Sequence, residues 1–190
     1  MVNLLAGILA AIFSIGAIDS FAQSELTTST QDQGSDATST TAGSLGEPLF
    51  VEQGRIIGQR VLAVTPQPQL ETSFMANASI NNGTGSVVNA INIGTNIITL
   101  NADGTFRGGG QGILRTEGGD VASWTSQSTG NLAPGGNIIV RGATFWSTPP
   151  STTAGELAFM NGMIGLFEME IDIQGNLSVT EWEWEGELAT

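Results

Sequence analysis

Phe167-Glu168-Met169-Glu170-Ile171-Asp172-Ile173 and Ser178-Val179-Thr180-Glu181-Trp182-Glu183-Trp184-Glu185 flank the turn signal Gln174-Gly175-Asn176, and both segments alternate in character with a period of two. That period is the signature of a β-strand, whose successive side chains leave opposite faces of a sheet. Phe167, Met169, Ile171 and Ile173 then share one face of the first strand, while Glu168, Glu170 and Asp172 share the other. A two-residue turn at Gly175-Asn176, with glycine supplying a positive φ, sets Met169 opposite Trp182 and Phe167 opposite Trp184. In that register both tryptophans lie on the buried face, and Glu170 meets Glu181 while Glu168 meets Glu183, an unfavourable pairing of like charges.

Working outward, nearly all of the chain from Pro48 to Glu187 reads as short strands separated by Gly, Asn and Asp turns. Strands are expected near Arg55–Val64, Leu70–Ile80, Ser86–Ile93, Ile97–Asn101, Thr105–Arg115, Val121–Gln127, Asn137–Trp146, Met163–Ile173 and Leu177–Glu185. Asp103-Gly104, Glu117-Gly118-Gly119-Asp120 and Ala133-Pro134-Gly135-Gly136 supply turn chemistry between them. The helix signal is the capping-box pattern Thr153-Ala154-Gly155-Glu156 ahead of Leu157-Ala158-Phe159-Met160, which allows one or two turns. Many antiparallel strands without long helices favour an all-β closed barrel of about eight strands, because closure removes exposed edges. Such a barrel is wide enough to be packed with side chains or to hold one small ligand. Gly108, Gly109, Gly110 and Gly112 fit bending at a barrel corner better than a phosphate loop, since no helix and no lysine follow.

The N-terminus reads differently. Leu4 to Ile18 is an apolar run of signal-peptide length, and Ser20-Phe21-Ala22 presents small residues before Gln23, so residues 1–22 are expected to be a secretory signal and the protein to be exported. An uncleaved anchor is the competing reading. Residues 23–46 are rich in Ser, Thr, Gln, Asp and Gly and poor in large apolar groups, the composition of a disordered linker ahead of a barrel domain over residues 47–187.

Composition narrows the chemistry. Of 190 residues 40% are hydrophobic and 12% charged, with five arginines, no lysine and no histidine against 18 acids, for a net charge of −13. Such a field repels phosphate, which argues against nucleic acid and anionic membrane surfaces as partners, with no membrane contact beyond the N-terminal signal. Absence of cysteine excludes disulfides and thiolate chemistry. Serine triads lack a base to activate them, so carboxylates alone are left for acid–base work near neutrality.

The stretches Gly112-Ile113-Leu114-Arg115-Thr116, Arg141-Gly142-Ala143-Thr144-Phe145 and Leu157 through Glu168 into the acidic hairpin resemble the barrel superfamily of allene oxide cyclases and dirigent proteins, and more closely its uncharacterised exported bacterial and archaeal relatives. The resemblance covers roughly Gly54 to Trp184. It implies an eight-stranded antiparallel barrel with an apolar cavity, often in homo-oligomers. For the plant cyclases it implies cyclisation of an unsaturated fatty-acid epoxide steered by a buried acid. No cyclase acid aligns to a position here, and the pocket cysteine and tyrosines of those enzymes have no counterpart, so the fold carries over and the chemistry does not.

Three residues are the candidate ligand contacts. Trp146 precedes Ser147-Thr148-Pro149-Pro150 at a strand end, where an indole can sit at the barrel mouth. Arg141 interrupts the apolar strand Ile138–Phe145, so it either marks the pocket or shows that its face is outside. If inward, it pairs with Glu168 or Glu117 and anchors a ligand carboxylate. The acids Glu168, Glu170, Asp172, Glu181, Glu183 and Glu185 form a solvated wall, less readily a Ca²⁺ site, or in part face the lumen paired with Arg107, Arg115 or Arg141. No catalytic residue, metal site or cofactor is assigned. The first expectation is a secreted, non-enzymatic barrel that binds a small apolar or amphipathic molecule or serves as an extracellular structural module. The alternatives are an isomerase or cyclase using a buried carboxylate, and a calcium- or glycan-dependent adhesion module.

Overall fold

A computed structural model describes residues 45–133, 135–150 and 155–184. Eight strands run in chain order: β1 Phe50–Ala63, β2 Gln69–Asn81, β3 Val87–Leu100, β4 Thr105–Thr116, β5 Val121–Leu132, β6 Ile138–Ser147, β7 Ile164–Ile171 and β8 Asn176–Glu183. Each pairs antiparallel with the next, and β1 pairs with β8 to close a barrel. The expected all-β closed barrel is therefore observed. Residues 1–44, which hold the expected signal segment and nearly all of the expected linker, lie outside the described residues.

Two expected strands, Ser86–Ile93 and Ile97–Asn101, are one continuous β3. Gly94 does not break it, because a Cβ there would meet the rings of Trp124 and Phe74 at 2.5–2.6 Å. The glycine is a vacancy in the wall that two aromatic rings fill. Gly112, its partner on β4, serves the same indole. Gly110 and Gly112 thus make room for the interior side chains of Asn96 and Trp124, while Gly109 lies against Gln127 on the outer face. The helix signal yields a three-residue 3₁₀ turn, Ala158–Met160, and the first residues of its capping pattern, Thr153 and Ala154, lie outside the described residues.

The last hairpin departs from expectation in a way that decides the interior. Observed partners are Phe167 with Glu181, Met169 with Val179 and Ile171 with Leu177, not Phe167 with Trp184 and Met169 with Trp182. The turn is longer than two residues. Gly175 N–H donates to the Asp172 carbonyl at 3.0 Å and Asp172 N–H to the Asn176 carbonyl at 2.9 Å, while Gly175 holds φ +83°. This is a type I turn closed by a left-handed glycine in a G1 bulge. The Asp172 side chain fixes it by accepting from the Gln174 and Asn176 backbone amides at 2.8 and 2.9 Å. The register moves by an odd number of residues, and a slip of that parity turns every β8 side chain to the other face. Trp182 is half-buried and Trp184 is 57% exposed, whereas Leu177, Val179 and Glu181 point inward. Glu168 and Glu170 now oppose Thr180 and Ser178, so the like-charge clash disappears. The acidic ladder is dispersed as well: Glu168 and Glu170 lie outside, Asp172 caps the turn, and Glu181 is inside. Glu185 lies outside the described residues.

Apolar residues seal one end of the barrel, where Ile80, Leu114, Leu157 and Met160 are fully buried. Toward the other end a smaller group forms around Leu70, Leu100, Phe106 and Val140. The interior between the two is not completely filled.

Because the Asp172–Asn176 turn fixes the β8 register, its two key residues are sensitive. Gly175→Ala, which forces a Cβ into a left-handed conformation, is expected to lower stability by about 1 kcal/mol. Asp172→Ala, which removes the side-chain acceptor for two amides, is expected to cost about 1–2 kcal/mol. Urea unfolding followed by tryptophan emission measures both losses.

Candidate functional site

The unfilled interior is a cavity of about 90 Å³. Its walls are largely apolar and aromatic: Phe50, Phe74, Phe106, Trp124, Trp146 and Phe167 all border it. A β-bulge between Ile56 and Gly58 shifts the parity of β1, so that Ile56 and Gln59, an odd number of residues apart, both reach the same cavity. At the level of Glu52 and Glu181 the lining is buried. Toward the turns at the far end, Ile56, Gln59, Ile138 and Ile171 are only half-buried.

Glu52 and Glu181 are the only charged side chains among the buried residues described. They sit on the two strands that close the barrel: Phe50 pairs with Glu181 and Glu52 with Val179, which makes the two acids diagonal neighbours on the inner face. Each is held by a donor. Trp146 gives its indole N–H to Glu181 Oε1 at 2.6 Å. Trp124 gives its own to Asn92 Oδ1 at 2.9 Å, and Asn92 Nδ2 donates onward to Glu52 Oε2 at 2.8 Å. An indole can only donate, so Asn92 must turn its oxygen toward Trp124 and its amide N–H₂ toward Glu52. The two tryptophans are themselves cross-strand partners, packed on Phe74 and Phe50 with ring centroids 6.0 and 5.8 Å apart. Gly165 leaves the space that the Glu181 carboxyl occupies, because a Cβ there would overlap Glu181 Oε1.

Burial pushes the Glu52 carboxyl up to about 7; the Asn92 hydrogen bond pulls the other way, and the charge of Glu181 adds to the rise. Burial likewise pushes Glu181 up to about 7, against the hydrogen bonds from Trp146 and Thr144. Desolvation dominates because no cation answers it: all five arginines are exposed. A carboxyl in this range exchanges its proton near neutrality, which suits it to donate or accept one.

The three sequence candidates separate. Trp146 is 4% exposed and borders the cavity, deep within the barrel instead of at its mouth. Arg141 and Glu168 do pair, Nε to Oε2 at 2.6 Å, but on the outer face with side chains 68% and 48% exposed. Arg141 borders a shallow outer groove with Arg107 and Gln127 and offers nothing to the interior. Glu52 and Asn92 carry no signal that the sequence analysis uses, and Glu181 enters it only as one of six acids of the last hairpin. For Glu52 the signal is the inward period Phe50, Glu52, Gly54, Ile56, hidden because the strand was begun at Arg55. Among the described residues no group of three or more His, Cys, Asp or Glu side chains could hold a metal ion.

No protein-family model matches the chain, and no curated protein matches it by sequence. Two solved structures share the fold. A protein of unknown function from Clostridium acetobutylicum ATCC 824 is 11% identical with a TM-score of 0.58, over 72% of this chain and 96% of that one. A conserved protein of unknown function from Rhodopseudomonas palustris is 9% identical with a TM-score of 0.53, over 72% of this chain and 94% of that one.

The raised carboxyls carry a pH dependence of known sign. The folded protein holds these protons more tightly than the unfolded chain, whose carboxyls titrate near 4.5. Their burial therefore costs nothing below that pH, destabilises progressively as pH rises toward 7, and levels off above it. The ceiling is roughly 3 kcal/mol per carboxyl. Melting measured by circular dichroism is expected to fall by about 5 °C or more between pH 5 and pH 8, and Glu52→Gln with Glu181→Gln should flatten that slope. Gly165→Ala, which displaces the Glu181 carboxyl, should destabilise by about 1–3 kcal/mol at either pH.

Proposed function

We infer that this protein is an exported barrel that binds a small apolar or amphipathic molecule in its interior. The observation that carries the reading is the cavity of about 90 Å³ inside a closed wall, apolar and aromatic over most of its lining with a few convergent polar groups. The N-terminal apolar run followed by Ser20-Phe21-Ala22 supports export. The eight-stranded antiparallel architecture is consistent with the resemblance to the allene oxide cyclase and dirigent barrel superfamily. A structural module needs no such internal space, and a well-packed core has few voids larger than a water molecule.

A second reading, an isomerase or cyclase acting on a hydrophobic substrate, is favoured by one specific observation. Two buried carboxyls titrating near 7 face the same cavity, and one protonated while the other is ionised constitutes an acid and a base. Under this reading one glutamate removes a proton from the substrate as the other returns one, so the pair keeps its proton count and exchanges roles, and proton exchange between them or with solvent resets it. Substrate turnover lost in Glu52→Gln and Glu181→Gln, with binding retained, distinguishes catalyst from binder.

Native mass spectrometry of the protein purified from its own host tests the binding itself. A co-purifying small molecule is expected, and Val140→Phe, which projects a ring into the cavity, should abolish it while the barrel still melts cooperatively. A protein that carries no small molecule and takes up none from a panel of short-chain alcohols, amines and acids does not bind in its interior.

A further inference from the structure

The charge inside the barrel is one-sided. Two carboxyls border the cavity, and every arginine of the chain is exposed on the outside. The interior positions facing the acids from the neighbouring strands are Phe74 on β2, Asn92 on β3, Trp124 on β5, Thr144 and Trp146 on β6 and Phe167 on β7, none of which titrates. The nearby fixed donors are already committed: Trp146 to Glu181, Asn92 to Glu52, Trp124 to Asn92. A ligand that meets these groups as carboxylates must therefore bring hydrogen-bond donors, and one that brings a positive charge also offsets their desolvation and holds them ionised. The aromatic rings around them add to the preference, since the face of an indole or phenyl ring attracts a cation. A ligand carboxylate meets the opposite situation, a like charge in a water-poor space with no arginine in reach.

We propose that the cavity is a receptor site for a small primary ammonium ion with a short apolar tail, its nitrogen held between Glu52 and Glu181 and its tail directed toward Ile98, Phe106 and Val140. The proposal rests on the reading of the barrel as a small-molecule binder and names the ligand class. The volume sets the size: at about 90 Å³, and with a water needing roughly 10–15 Å³ on such a measure, the space suits a compact molecule and not a long lipid. Binding couples to protons in a defined direction. An ammonium ion favours the ionised carboxylates, so protons held on Glu52 and Glu181 in the empty barrel pass to solvent as the ligand enters.

Butylammonium, 1-butanol and butyrate share a four-carbon chain and differ in the head group, which makes them suitable probes. Titration of each into the ¹⁵N-labelled protein, followed through the indole N–H resonances of Trp124 and Trp146, reads the cavity directly. Butylammonium is expected to bind at least tenfold more tightly than butanol, with butyrate weakest. Its affinity should rise between pH 5 and pH 8, and calorimetry in two buffers of different ionisation enthalpy should show proton release. Glu52→Gln and Glu181→Gln should each cost tenfold or more for the amine while sparing butanol, and retained butanol binding certifies that the variant is folded. Butanol or butyrate binding as tightly as the amine overturns the ammonium assignment and leaves the binding barrel standing. Failure of all three probes to shift either indole overturns both. An amine whose affinity ignores pH and both glutamines also defeats the assignment, because its nitrogen is then not at the carboxyls.

Discussion

The parity of β8 rests on five residues, Asp172 to Asn176. A turn one residue shorter or longer would send Leu177, Val179 and Glu181 to solvent and bring Trp182 and Trp184 inside. Asp172 holds the turn by accepting three hydrogen bonds, from the backbone N–H groups of Gln174 and Asn176 and from the Asn176 side chain, and Gly175 supplies the left-handed residue that closes it. The inward placement of Glu181 follows from that choice. It sets an acid beside the indole of Trp146, and it leaves the outer face of the hairpin to Glu168 and Glu170.

The barrel was legible in the sequence because period-two alternation and Gly-rich turns survive any uncertainty about register. The interior was not, and the reason is specific. Along Leu177 to Trp184 both faces offer apolar residues: Leu177 and Val179 on one, Trp182 and Trp184 on the other. Hydrophobicity alone favours the tryptophans as the buried set, which puts Glu181 on the opposite, acidic face. Only the turn geometry decides between them, and its signal is the pattern Asp172-x-x-Gly175, equally compatible by eye with a two-residue turn two positions later. Glu52 was lost for a simpler reason, since a strand begun at Arg55 leaves Phe50-Val51-Glu52 unread. Trp146, expected at the barrel mouth as a ligand contact, is instead buried in the cavity wall as a donor to Glu181. Arg141 was expected to meet Glu168 or Glu117 if it faced inward; it meets Glu168, on the outer face.

Glycine and aromatic residues interlock across this wall. Gly94 and Gly112 lie against Trp124, Gly142 against Phe167, and Gly130 against Phe106, so that each ring occupies the volume a neighbouring side chain would have taken. The inner face therefore combines large rings with bare backbone. This is why the rings can lie close to the wall and leave a central space instead of filling it, a geometry in which the wall positions without side chains matter as much as the rings. Glu181 joins the same scheme through Gly165.

Seven of the eight strand pairings join neighbours along the chain, and the eighth joins β1 to β8 across more than a hundred residues. Glu52 and Glu181 face one another across that seam. The two acids therefore become neighbours only when the ends of the domain meet, and any partially assembled ribbon in which the seam is open keeps both carboxyls hydrated and apart. The chemistry of the interior is in this sense a property of ring closure: the step that joins the most distant parts of the chain is also the step that dehydrates its two most reluctant side chains.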